Sequence, residues 1–131
     1  MSGTVRNRIP VPTEEQEQII LFNWARLNQK KYPELKLMHH IPNGGARSKS
    51  EAARFKAAGV KSGVPDIFLP AAREPYHGLF IELKRTKGGR VSGNQKTVIE
   101  DLRLAGYAAE VACGWKAAAE IIESYLTGNM K

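Results

Sequence analysis

The alternation of apolar and polar positions along the chain predicts four helices and four strands. Helical spacing of apolar residues occurs at 14–31, 49–58, 93–106 and 115–126, and apolar runs of strand length occur at 35–41, 64–69, 79–84 and 107–112. The predicted order is helix, strand, helix, two strands, helix, strand, helix. That order is typical of an α/β fold in which helices flank a small mixed sheet.

Local signals support the starts and ends of these helices. Thr13, Ser48 and Ser92 are each followed three residues later by Glu or Gln, which is the capping-box pattern. Pro33 is expected to end the first helix, and Gly59 fits the end of the second. Helical spacing also predicts two sets of buried residues: Leu21, Trp24 and Leu27 in the first helix, and Trp115, Ala118, Ile122 and Tyr125 in the last.

Composition narrows the class of protein. Apolar residues make up 42% of the chain, which favours a folded domain over a disordered one. We expect a polar, flexible N-terminal arm at residues 1–12 and a single domain at 13–131. The single cysteine, Cys113, excludes an internal disulfide and is expected to be a small buried apolar residue. With no signal peptide and no membrane-length apolar run, a cytoplasmic location without a membrane partner is the default.

The charge distribution points to a polyanionic partner. Formal net charge is +7, and the basic residues concentrate at 47–61 and 84–96. Both basic stretches flank the two central predicted strands, which suits a phosphate-bearing substrate such as nucleic acid. The alternative is a solvated surface that only confers solubility.

Three charged residues in the central strands are candidates for chemistry. Asp66 lies in the apolar run at 64–69, and Glu82 and Lys84 lie in the run at 79–84. Residues two apart in a strand share a face, so Glu82 and Lys84 emerge together. If the two strands pair as a hairpin, Asp66 lies beside Glu82. Two carboxylates and an ammonium at one point can hold a divalent metal and activate water.

This PD…ExK arrangement resembles the PD-(D/E)xK nuclease superfamily. Within it, residues 42–95 are similar to the VRR-NUC family, through Asn43-Gly44-Gly45, residues 59–66, Glu82-Leu83-Lys84 and Gln95. The resemblance implies a restriction-endonuclease-like fold. A domain this small, without additional segments, is similar to the stand-alone phage form of the family. That similarity implies a homodimer that acts on four-way (Holliday) junctions. If the chain is phage-encoded, the protein would work in the cytoplasm of a host cell.

The resemblance also implies roles for individual residues. Asp66, Glu82 and the backbone carbonyl of Leu83 would bind Mg²⁺ or Mn²⁺, which prefer oxygen ligands. Lys84 would hold or deprotonate the attacking water and offset charge on the phosphate, either as a base or as an electrostatic clamp. In-line attack would leave a 5′-phosphate and a 3′-hydroxyl.

Two further polar residues of the family pattern have competing explanations. The family has a glutamate on the first helix, for which Glu14 is favoured over Glu17, whereas Glu15 is expected to be solvated at the helix start. Gln95 is both a natural capping-box partner of Ser92 and the family's glutamine that reaches the active site. Because the two roles draw on one side-chain amide, we expect them to compete, and we favour the site role.

A larger set of residues is expected to contact DNA or to shape the loops that do. The glycines have an ordinary turn role as the alternative explanation. His39 and His40 lack the spacing of a zinc site, so a core or surface role is favoured for both. The expected DNA-binding residues are Asn43, Gly44, Gly45, Arg47, Lys61, Gly63, Arg85, Lys87, Arg90 and Lys96.

Three functions stay open on the sequence alone. The first is a Mg²⁺- or Mn²⁺-dependent endonuclease that cuts branched DNA. The second is a flap-cutting or nicking nuclease of the same fold. The third is a basic DNA-binding module without catalysis, in which the acidic residues only form structural ion pairs; its DNA affinity would depend on salt but not on the metal.

Overall fold

A computed structural model describes residues 9–42 and 45–130 of the chain. The elements follow the order expected from the sequence, with one additional 3₁₀ helix, and no helix in the described part is long and apolar enough to cross a membrane. In chain order they are α1 (Glu14–Leu27), the 3₁₀ helix (Pro33–Leu37), β1 (His39–His40), α2 (Lys49–Ala57), β2 (Ile67–Leu69), β3 (Leu79–Lys84), α3 (Gly93–Leu104), β4 (Ala108–Cys113) and α4 (Trp115–Leu126).

The four strands form one mixed sheet in the order β1-β2-β3-β4. β1 pairs antiparallel with β2, β2 antiparallel with β3, and β3 parallel with β4. The predicted α/β fold and the predicted hairpin are therefore confirmed. Ile67 lies opposite Ile81, and this register brings Asp66, one residue earlier, alongside Glu82. β2 begins later than expected, because Pro65 has no N–H for the ladder.

Helices cover both faces of the sheet. α1 and α4 pack on one face, where the main apolar core lies, and α3 packs against β4 on the other. Side chains of β3 alternate between the two faces. Leu79, Ile81 and Leu83 join the main core, and Phe80 packs with Ile99 of α3. Glu82 and Lys84 share the Phe80 face, so they point toward the side of the sheet that carries α3.

The region after α1 differs from the predicted strand at 35–41. α1 ends at Leu27 with Asn28 as its C-cap, four residues before the expected end, and Pro33 begins a 3₁₀ helix. Only Leu35 and Met38 of this region are buried. Their spacing of three matches a 3₁₀ helix, in which residues i and i+3 lie above one another. The strand is limited to His39 and His40.

Three local expectations were wrong. Leu27 is 85% exposed, because Ala25, one helical turn after Leu21, occupies the buried position instead. Cys113 is exposed at the end of β4. At α2, Ser48 Oγ accepts a hydrogen bond from the Glu51 N–H, but the Glu51 carboxylate accepts from the N–H of Arg47, so the capping box is only half formed. Gly59 follows α2 with φ of +99°, as expected of a residue that ends a helix.

Candidate active site

Asp66 is held from both ends at the start of β2. Its carbonyl oxygen accepts a hydrogen bond from the N–H of Ile41 at 2.6 Å and contacts His40 Nδ1 at 2.9 Å. Its carboxylate Oδ2 accepts from the N–H of Leu83 at 3.0 Å, across the hairpin. Both neighbouring strands therefore fix the position of this side chain.

Glu82 is a buried carboxylate with an ion pair and a hydrogen bond on one oxygen and no described partner on the other. The residue is 2% exposed. Its Oε2 lies 3.2 Å from Lys84 Nζ and accepts a hydrogen bond from Gln95 Nε2 at 3.0 Å. Its Oε1 is buried and has no partner among the described residues. A buried unpaired carboxylate oxygen is unfavourable, so this atom points to a ligand that is bound in the functional protein.

Electrostatic repulsion accompanies this burial. Desolvation, and then the neighbouring Asp66 carboxylate, raise the pKa of Glu82 to about 7, although the Lys84 ammonium acts in the opposite direction. Lys84 itself is 7% exposed. One ammonium does not balance two carboxylates held this close, and a cation bound between them would relieve the repulsion.

Gln95 makes both of its expected contacts at once. Its Oε1 accepts from the N–H of Ser92 at 2.9 Å, which completes the capping box at the start of α3. Its Nε2 donates to Glu82 Oε2. The expected competition between the two roles was wrong, because a primary amide has separate donor and acceptor ends that point in different directions.

A close contact attaches the loop before Asp66 to the start of α3. Asn94 Nδ2 donates to Ser62 Oγ at 2.8 Å. Gly63 has φ of +85°, and a Cβ at this position would lie 2.8 Å from the Asn94 side chain. Glycine is therefore required both by the backbone conformation and by the lack of space. Nothing in the sequence pattern around Asn94 indicated its contact with Ser62, so Asn94 was not identified from the sequence as part of the site.

Glu14 lies in a separate cleft on the α1 side of the sheet. The cleft has a volume of about 230 Å³, and its lining residues are Glu14, Glu15, Gln18, His40, Asp66 and Leu83. Glu82 and Lys84 do not line it, because they point to the opposite face. Asp66 therefore belongs both to this cleft and to the group formed with Glu82 and Lys84. Gln18, one helical turn after Glu14, is part of this cleft, and so is His40, which the sequence did not single out for the site.

Glu17, the alternative to Glu14, has a different environment. It is 3% exposed, and its Oε1 accepts a hydrogen bond at 3.0 Å from the N–H of Trp115, the first residue of α4. The N-cap position of α4 is Gly114, which has no side chain to cap the helix. Glu17 supplies that acceptor from α1, and its negative charge lies at the favourable end of the helix dipole.

The expected DNA-binding residues lie at several places on the surface. Asn43 and Gly44 fall outside the described residues. Gly63 is buried, and Arg85 is half-buried with an Nε that has no partner in the described structure. The other members are exposed: Gly45, Arg47, Lys61, Lys87, Arg90 and Lys96.

The donor set fits a hard divalent cation better than zinc. Carboxylate oxygens of Asp66 and Glu82 lie side by side in the hairpin, and the family resemblance adds the Leu83 carbonyl; oxygen ligands of this kind are those that Mg²⁺ and Mn²⁺ prefer. His39 and His40 are exposed, and the described residues contain no preformed cluster of three or more His, Cys, Asp or Glu side chains around a point. The unpartnered Glu82 Oε1 is the observation that supports a metal site: a metal ion taken up from solution would give this oxygen a partner.

Comparison with known proteins agrees with this geometry. The family model described as the VRR-NUC domain matches residues 9–115. The chain belongs to the VRR-NUC family. A solved structure titled "VRR_NUC domain protein" is 35% identical, with a TM-score of 0.78, and the match covers 91% of this chain and 92% of that one. No curated protein sequence matches.

Membership of the VRR-NUC family makes this a nuclease domain of the PD-(D/E)xK type that acts on DNA. Domains of this type usually take a divalent metal. The motif residues quoted from the sequence thus identified the family correctly.

Proposed function

We propose that this VRR-NUC domain is a Mg²⁺- or Mn²⁺-dependent endonuclease that hydrolyses phosphodiester bonds in branched DNA such as four-way junctions. The observation that supports it best is the buried, unpartnered Glu82 Oε1 beside Asp66 and Lys84. The ion pair with Lys84 and the Gln95 hydrogen bond both involve Oε2, so a structural ion pair alone does not account for the buried Oε1. This argues against the alternative of a binding module without catalysis.

In the proposed site, Asp66, Glu82 and the Leu83 carbonyl hold the metal, which when bound supplies Lewis-acid activation of the phosphate and of water. Lys84 places an ammonium 3.2 Å from Glu82, where it can orient the attacking water and offset charge on the phosphate. Gln95 fixes Glu82, and the Leu83 N–H fixes Asp66. Glu14 acts from the α1 side, where it shares a cleft with Asp66.

The proposal extends to organisation and location. Residues 13–131 act as one nuclease domain that forms a homodimer, because two active sites related by a twofold axis suit paired cuts across a junction. Residues 1–8 of the N-terminal arm expected at residues 1–12 lie outside the described residues. The exposed basic residues contact DNA phosphates, and the protein works in the cytoplasm, of a host cell if it is phage-encoded.

Cleavage of a labelled four-way junction, beside a matched linear duplex and a flap, tests the proposal. We expect paired cuts near the branch with Mg²⁺ or Mn²⁺, none with a chelator, and none with Asp66→Asn, Glu82→Gln or Lys84→Ala. Glu110→Gln is the matched control, because Glu110 is a half-buried carboxylate of β4 whose partner is Arg103. Preference for the flap would favour the flap-cutting alternative, and DNA binding without any cutting would favour the non-catalytic module.

A further inference from the structure

The helix α2 carries a cleft that the proposed catalytic residues do not use. α2 has no buried residue, and none of the sheet or the other helices packs against it. A cleft of about 520 Å³ lies between α2 and the segment that follows it. Its floor is apolar, with the half-buried ring of Phe55 and the exposed Val60, and Lys56 and Lys61 lie at its rim.

The charges around this cleft favour an anionic occupant. Residues 47–61 contain five Lys or Arg and one acid, Glu51. The Glu51 carboxylate is already engaged by the N–H of Arg47 and by the Arg54 guanidinium, 3.9 Å away. Lys56 and Lys61 make no ion pair with any described residue. Their charges are therefore available to phosphate groups.

An aromatic ring beside lysines suits one chemical class in particular. A nucleobase stacks on the flat face of an aromatic side chain, and its phosphates meet the neighbouring cations. A base in a duplex is already stacked on its neighbours, so only an unpaired nucleotide can enter. A second copy of this chain is disfavoured, since each copy carries a net charge of +7 and a symmetric contact here would bring two cationic helices together.

The cleft is also continuous with the catalytic loop. Ser62 lines it and is bonded to Asn94, the residue before Gln95. Asp66 follows Ser62 by four residues, and a chain of that length spans at most about 14 Å. This upper bound corresponds to at most about four nucleotide steps along the axis of B-form DNA, at ~3.4 Å per step.

We propose that the α2 cleft binds an unpaired nucleotide of the DNA substrate, within a few nucleotides of the cleaved phosphate, with its base on Phe55 and its phosphates at Lys56 and Lys61. This inference rests on the proposed function and deepens it. It supplies a physical means to select a flap, a frayed end or a branch point whose base pairs have opened over continuous duplex, because each of these offers an unpaired base; a four-way junction, whose arms are fully paired, would use the cleft only when a pair at the branch opens.

Binding of DNA containing 2-aminopurine, measured with a chelator so that no cleavage occurs, tests the cleft. The probes are a duplex with an unpaired, 2-aminopurine-containing extension and a blunt duplex of the same length. We expect Phe55→Leu to weaken binding of the extended probe by about tenfold and to abolish the fluorescence change on binding. Phe55→Trp should retain both, and binding of the blunt duplex should change less than twofold.

Matched controls separate stacking from loss of any exposed apolar group. Leu104→Ala removes an 87% exposed side chain at the end of α3 opposite to Gln95, and it should affect neither probe. Equal weakening of both probes by Phe55→Leu, or no weakening, would overturn the inference. So would a change of oligomeric state in Phe55→Leu, measured by light scattering, because it would make the cleft an interface between copies.

The binding readout also separates this inference from the proposed function. Cleavage that requires Asp66, together with binding that ignores Phe55, would overturn the nucleotide cleft and keep the nuclease. Phe55-dependent binding of unpaired DNA by a protein that cuts no substrate would support the cleft and overturn the catalytic proposal.

Discussion

The two hydrogen bonds of Gln95 allow its structural role and its role at the site to be measured separately. Ser92→Ala and Gln95→Ala each remove one half of the same capping box at the start of α3. Only Gln95→Ala also removes the donor to Glu82 Oε2. Both variants should therefore lose a capping contact, Gln95→Ala should lose additional stability with the bond to Glu82, and only Gln95→Ala should lose metal binding and cleavage.

The magnitudes follow from the contacts that each variant loses. Loss of a helix N-cap contact costs about 1 kcal/mol, which lowers the melting temperature of a domain of this size by about 4 °C. Gln95→Ala additionally leaves Glu82, which is 2% exposed, with Lys84 as its single remaining partner among the described residues. Removing a residue that orients a metal ligand typically lowers metal affinity or activity by about 10- to 100-fold.

Two assays report on these effects independently. Thermal unfolding with a chelator should show a shift for Ser92→Ala and a larger one for Gln95→Ala, which also removes the donor to the buried Glu82 carboxylate. Calorimetric titration with Mn²⁺, and cleavage of a four-way junction, should show a loss of tenfold or more for Gln95→Ala and less than threefold for Ser92→Ala. Gly93→Ala serves as a control at the same helix start, because a Cβ there would meet nothing within 4 Å.

Two outcomes would refute the reasoning. If Gln95→Ala binds Mn²⁺ and cleaves DNA as well as Ser92→Ala does, the bond to Glu82 has no part in the site. If both variants lose metal affinity to the same extent, the position of α3 as a whole matters, and the individual amide does not.

Other predictions concern the rest of the fold. Glu17→Ala should destabilise the protein by about 2 kcal/mol, because it removes the acceptor for the Trp115 N–H. If a fully folded Glu17→Ala protein instead lost cleavage, Glu17 would be the α1 glutamate of the active site. The Arg73 hydrogen bond holds the pKa of Glu34 below its usual 4.5. Urea unfolding should therefore show Glu34→Gln to be less stable than the unmodified protein at pH 7, by at most about 1 kcal/mol for this partly exposed pair, and the difference should vanish as pH falls below 4.5. A difference independent of pH would exclude the ion pair as its cause. Gly63→Ala should cost about 1–3 kcal/mol in the same assay, and an unchanged midpoint would contradict the required positive φ.

The parts of the structure that depend on local chain geometry could be predicted from the sequence. Asp66, Glu82 and Lys84 were placed together by strand periodicity and a short hairpin, and the capping boxes at Thr13 and Ser92 are present in full. These features involve residues close in sequence, so the physical rules that govern them act within one element or one turn.

Contacts between distant elements could not be predicted in the same way. Glu17 and Trp115 lie 98 residues apart in the chain, and their hydrogen bond exists only because α1 and α4 pack on the same face of the sheet. Helical spacing alone made Glu17 a candidate for the active site, since it showed that the residue faces inward but not what it faces. The second bond of Gln95 likewise depends on how α3 lies against β3.

The arrangement of charged groups at the site is unfavourable for folding, and a bound cation would explain why it is present. Without a cation, the site places two neighbouring carboxyl groups beside one ammonium, and the raised pKa of Glu82 reflects how unfavourable two negative charges are there. Glu82 Oε1 is buried without a partner among the described residues. Apolar residues at these positions would be more favourable for folding alone. A divalent ion held between these groups would reverse the balance, because it would neutralise the repulsion and be coordinated by the unpaired oxygen. Asp66 also lines the cleft that contains Glu14, so the proposed metal site and that cleft share one carboxylate.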